Sequence, residues 1–169
     1  ARKPTFHDHL ILNRWLLSLF HKKDLATLKA QMGGDEYEGE AKDEQSGFFH
    51  QLTGVLFFDE GSALSENDLR RYDLNVLRHW RQITQKRNKI YHQELKLKYF
   101  QYLSLIFSEI YLDWYFNRRD GLLEALNEQL EQYQNETGKV AEKFAPYQVE
   151  DLNMTAFWNA TGSGKTLLM

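Results

Sequence analysis

Residues 94–117 read ELKLKYFQYLSLIFSEIYLDWYFN. Apolar side chains fall on nearly every side of a 3.6-residue helix, which at about 1.5 Å per residue would be about 36 Å long. Gln101, Ser104, Ser108, Glu109 and Asp113 interrupt the apolar surface. That is too polar for a membrane span, so the stretch is expected to form the central buried helix of a bundle. Glu109 and Asp113 are four residues apart and share a helix face. Paired carboxylates can do acid–base work or bind a metal, but buried ones more often take Arg or Lys partners, here expected from the basic segment upstream.

The neighbouring segments fit this frame. Ser65 and Asp68 have capping-box spacing, and Leu69, Tyr72, Val76, Trp80 and Ile83 follow at helical intervals, predicting a helix to about residue 88. On the other side Asp120 is expected to cap a last long helix whose inner face carries Leu122, Leu123, Leu126, Leu130 and Tyr133, stopped by Thr137-Gly138. Residues 8–21 predict a helix with Leu12, Trp15, Leu16, Leu19 and Phe20 on one face, and Asp24 can cap a second ending at Gly33-Gly34. Residues 35–47 are acidic and aperiodic, which predicts a solvated loop. Residues 48–60, rich in Phe and split by Gly54, fit a hairpin or a helix–turn equally. The fold class expected is mainly α: about five helices as an accessory domain over residues 1–140, then a change of character over 141–169.

With 169 residues, the chain has room for one domain and a tail. Its 4 Trp, 9 Tyr and 11 Phe supply a core and exclude wholesale disorder. It has no Cys, which excludes disulfides, thiolate metal sites and cysteine nucleophiles and fits a reducing compartment. The net charge of −3 hides segregation: residues 35–60 and 120–151 each hold eight acids, and residues 70–98 hold nine bases against two acids. Acidic and basic faces can pair within a bundle or face water. Alternatively, the basic segment, with Arg78, Arg81, Lys86, Arg87 and Lys89 among Trp80 and Tyr91, is a phosphate-contacting strip.

The chemistry lies at the other end. Residues 155–169 read TAFWNATGSGKTLLM: an apolar run, a Gly-Ser-Gly turn, Lys-Thr, and an apolar helix start. This is the strand–loop–helix context of a phosphate-binding loop. Gly162 and Gly164, with Thr161 and Ser163, allow backbone N–H groups to converge on phosphate oxygens, and a following helix N-terminus adds positive potential. Lys165 can reach the β- and γ-phosphates, and the Thr166 hydroxyl can bind Mg²⁺. Where the general pattern wants a first glycine, Asn159 stands. A Gly-Ser-Gly-Lys-Thr string can also be a flexible tail, but the apolar flanks favour the loop.

Ala160-Thr161-Gly162-Ser163-Gly164-Lys165-Thr166 resembles motif I of superfamily-two helicases and translocases, where loops lacking the first glycine are ordinary. The lead-in Asp151–Trp158 is similar to that of the ATPase subunit of type III restriction enzymes. The resemblance covers about the last 20 residues; residues before it resemble no family. It implies the first strand and phosphate loop of a RecA-like domain over 141–169, with ATP and Mg²⁺ held by Lys165 and Thr166. It also implies duplex DNA as partner, with a methyltransferase or nuclease subunit as a possible second, and a bacterial, cytoplasmic restriction or phage-defence role without a membrane. On this reading the chain is the N-terminal piece of a longer enzyme and is inactive alone, since motif II and a later arginine would lie beyond Met169. In many superfamily-two proteins a Gln upstream of motif I reads the adenine edge. Gln148 is the candidate, although it stands only 17 residues before Lys165, and a surface connector explains it as well.

Two alternatives remain. The helices could be a docking module that uses exposed aromatics. The loop could belong to another P-loop machine, against which Asn159 and the Ala160-Thr161 pair argue. Val55–Glu60 imitates a Walker B strand but lies upstream of motif I, where superfamily two does not place it. His7-Asp8-His9 lacks a third ligand nearby and is expected to be a solvated terminus.

Overall fold

The computed structural model describes residues 6–22, 24–39, 43–54, 63–137 and 144–156. These residues are mainly helical, with six α-helices and no β-strand among them: α1 Ile11–Leu19, α2 Leu25–Met32, α3 Gly47–Thr53, α4 Glu66–Tyr91, α5 Tyr99–Asn117 and α6 Arg119–Thr137. Short 3-10 turns occupy Phe6–His9, Asp35–Tyr37 and Val149–Asn153. Of the first strand and phosphate loop expected over 141–169, residues 144–156 are described and hold no strand, and residues 157–169 lie outside the described residues. Among the described residues no helix is long and apolar enough to cross a membrane.

Two compact units emerge, one from residues 1–25 with 111–156 and one centred on 26–110, so the division falls inside α5. In the first unit α1 packs on α6. Trp15, Leu16 and Phe20 are buried as their spacing predicts, joined by Ile11 and Leu17, while Leu12 and Leu19 are only half-buried. The Trp15 ring meets Trp114 edge-on at 5.2 Å. α1 ends without glycine: His21 takes φ 52°, the Lys22 N–H reaches the Leu17 carbonyl and the His21 N–H that of Ser18. This is the Schellman arrangement, with histidine in the left-handed position that usually selects glycine. At the other edge the Arg14 guanidinium pairs with Glu136 at 2.7 Å.

Asp120 does not cap α6. The helix starts at Arg119 and the Leu122 N–H bonds the Arg118 carbonyl, so Arg118 holds the cap position and Asp120 lies inside the first turn. Leu122, Leu126 and Leu130 form the buried face; Leu123 and Tyr133 are half-buried.

In the second unit α4 starts where the capping box predicts. Ser65 Oγ accepts the Asp68 N–H at 3.1 Å and donates to the Asp68 carboxylate at 2.8 Å. Its buried face runs Leu69, Tyr72, Asp73, Val76, Leu77, Trp80, Thr84, and Ile83 is exposed instead of buried. The helix continues to Tyr91, past the predicted end, and stops at left-handed His92.

Residues 94–98, expected to be helical, are not. α4 side chains take the backbone bonds a helix would need. Trp80 Nε1 donates to the Leu95 carbonyl at 2.8 Å, Asn88 Oδ1 accepts the Leu95 N–H at 3.0 Å, and Arg87 donates to the Gln93 carbonyl at 2.9 Å. This irregular strap returns along α4 until Gln101 Oε1 accepts the Lys98 N–H and starts α5.

The acidic loop is less solvated than its composition predicts. Gln45 and Ser46 are buried, and Ser46 caps α3 by accepting the Phe49 N–H at 2.9 Å. The helical alternative for residues 48–60 holds for 47–53; residues 55–60, with the Walker B-like run, are outside the described set. Gly47 is required by proximity, because a Cβ there would lie 2.3 Å from the Tyr37 carbonyl oxygen.

Candidate functional site

Thr161, Gly162, Ser163, Gly164, Lys165 and Thr166 fall outside the described residues; the segment that leads into them does not. Residues 144–156 contain only the 3-10 turn Val149–Asn153, followed by extended Met154. The described part of the 151–158 lead-in, residues 151–156, therefore contains no β-strand. Side chains of the first unit hold this segment in place of secondary structure. Asn127 pairs with both backbone groups of Tyr147, at 2.7 and 3.2 Å. Gln134 donates to the Phe144 carbonyl, Tyr111 Oη to the Leu152 carbonyl at 2.7 Å, and Tyr115 Oη to Asn153 Oδ1 at 2.6 Å. Arg119 reaches Asn153 Oδ1 at 3.0 Å with its guanidinium over the Tyr115 ring. Leu152 is the one apolar plug, 3% exposed. A polar segment with a single buried apolar residue can hold one conformation because donors from α5 and α6 meet the Phe144, Tyr147, Val149 and Leu152 carbonyls.

Gln148 is exposed at the start of this turn. Its backbone N–H is accepted by the Asp151 carboxylate at 2.7 Å and its side-chain amide donates to the Pro146 carbonyl at 3.2 Å. One amide N–H is thus spent locally.

The basic residues lie along α4. Arg78, Arg81, Lys86 and Lys89 are exposed and Arg87 is half-buried. Arg78 bonds Asn75 of its own helix, and Arg87, besides holding the strap, lies over the Tyr91 ring at 5.1 Å. Arg87 therefore works as a structural clamp as well as a candidate phosphate contact. Trp80, interleaved with them in sequence, is buried in the core.

The expected carboxylate partners are different in the structure. Glu109 accepts from the Asn75 amide on α4 at 3.1 Å, and Asp113 takes Arg118 at 3.3 Å and Asn117 at 2.9 Å. Among the described residues Glu109 thus takes an amide of α4 where an Arg or Lys was expected, and Arg118, which pairs with Asp113, comes from the α5–α6 junction. Pairing of acidic and basic blocks does occur at Lys98, which meets Glu38 at 2.6 Å and Asp35 at 3.7 Å.

Sequence reasoning missed the buried carboxylate Asp73. It accepts the Ser46 N–H at 2.9 Å, the Ser46 hydroxyl, and Tyr102 Oη at 2.7 Å, with all three residues buried. Burial pushes the Asp73 carboxyl above its ordinary value of 3.8, against the opposing pull of these bonds and of His50. Burial, together with the Asp73 charge, pushes the Tyr102 phenol well above 10.0, which keeps it a donor. An aspartate at an inward position of the α4 pattern, between Tyr72 and Val76, was the available signal. His9 Nδ1 lies 3.0 Å from Tyr133 Oη. Among the described residues no three His, Cys, Asp or Glu side chains gather as metal ligands.

Compared with protein-family models, with curated proteins and with solved structures, the chain matches none of them.

Proposed function

We propose that this chain is part of an ATP-dependent DNA helicase or translocase of superfamily two, of restriction or phage-defence type and cytoplasmic in bacteria. The observation that carries the reading is the string Ala160-Thr161-Gly162-Ser163-Gly164-Lys165-Thr166. Its donors suit a magnesium nucleotide: glycine-flanked backbone N–H groups for phosphate oxygens, an ammonium for the outer phosphates and a hydroxyl for Mg²⁺. In this role Lys165 offsets the charge that accumulates on the β- and γ-phosphates, and Thr166 supplies a metal ligand. ATP hydrolysis supplies the free energy for movement along duplex DNA. The exposed Arg78, Arg81, Lys86 and Lys89, with Arg87, are the candidate contacts to DNA phosphates. Residues 1–140 serve as the helical accessory part and 141–169 open the RecA-like domain.

Titration of the protein with ATPγS and Mg²⁺ tests the nucleotide site. Lys165→Ala is expected to weaken binding at least about tenfold, the loss of one charge-assisted phosphate contact. Undiminished binding removes motif I from the account.

A second reading, a docking module for a methyltransferase or nuclease subunit, is favoured by Leu112 and Phe116, which stand one turn apart on α5 at 47% and 74% exposure. DNA binding predicts a salt dependence that Arg78→Glu with Arg81→Glu reduces. Docking predicts that Phe116→Ala weakens subunit assembly and those arginines do not.

A further inference from the structure

We draw no further inference here: the strongest candidate, the exposed apolar edge of α5 at Leu112 and Phe116 in the first unit, carries nothing beyond the docking reading already given, because nothing in the structure shows what covers it.

Discussion

Replacing Tyr102 with Phe removes one atom from the Asp73 cluster and little else. The phenolic Oη lies 2.7 Å from Asp73 Oδ1, both residues are 0% exposed, and the Phe ring keeps the contact with Phe48 at 5.0 Å between centroids. A hydrogen bond to a carboxylate contributes about 1.5–3 kcal/mol, and no water is positioned by exposure to replace the lost donor. The expected cost is therefore about 2 kcal/mol. In a chain of 169 residues this corresponds to a fall in melting temperature of roughly 4–8 °C. Ser46→Ala removes a second donor to the same Oδ1 and also the α3 cap to Phe49, and a cap alone contributes about 1 kcal/mol. Because Ser46 and Tyr102 share one acceptor oxygen, the two losses should not add, and a double-mutant cycle is expected to give a coupling of about 0.5 kcal/mol or more. Urea unfolding followed by circular dichroism, on wild type, both single variants and the double, measures all of this. A Tyr102→Phe cost below about 0.5 kcal/mol, or strict additivity with Ser46→Ala, would refute the claim that Asp73 organises this unit.

Three further outcomes follow from single contacts. Asp73→Asn should cost more near pH 4 than near pH 7: burial raises the folded-state value above 3.8, so the native chain holds a proton that the unfolded chain has released, and the wild-type contribution, full below 3.8, is lost as pH rises through the folded value. Chemical denaturation across that range reads the slope, and a variant cost that grows with pH contradicts it. Gly47→Ala places a methyl 2.3 Å from the Tyr37 carbonyl oxygen, so the backbone must move, and a loss of about 1–3 kcal/mol is expected by the same denaturation assay. Asn127→Ala leaves both backbone groups of Tyr147 without their side-chain partner, and limited proteolysis should cut residues 144–148 faster than in wild type while α6 stays helical by circular dichroism.

The parts of the fold legible in the sequence were those set by strong local rules. The Ser65–Asp68 capping box and the spacing of Leu69, Tyr72, Val76 and Trp80 located α4, and the leucines of α6 located its inner face. What escaped was decided by side chains from elsewhere in the chain. Residues 94–98 have an apolar, helix-compatible pattern, but Trp80, Arg87 and Asn88 claim their backbone groups. Asp120 looks like a cap, yet the helix begins one residue earlier, at Arg119, with the Arg118 carbonyl taking its first bond. Ser46, hidden in an acidic loop, became a buried cap because Asp73 accepts from it. At the candidate sites the residues of motif I and of the basic helix were legible as strings and spacings alone. Spacing could not show that Arg87 clamps the strap, nor that Gln148 spends an amide N–H on Pro146, because both depend on backbone geometry.

The central claim, that motif I serves a DNA-directed ATPase, is tested most directly by the ATP hydrolysis rate of the intact protein with and without duplex DNA, beside Lys165→Ala. The account predicts hydrolysis that duplex DNA stimulates and that Lys165→Ala abolishes. Hydrolysis indifferent to DNA, or unchanged in Lys165→Ala, would contradict it.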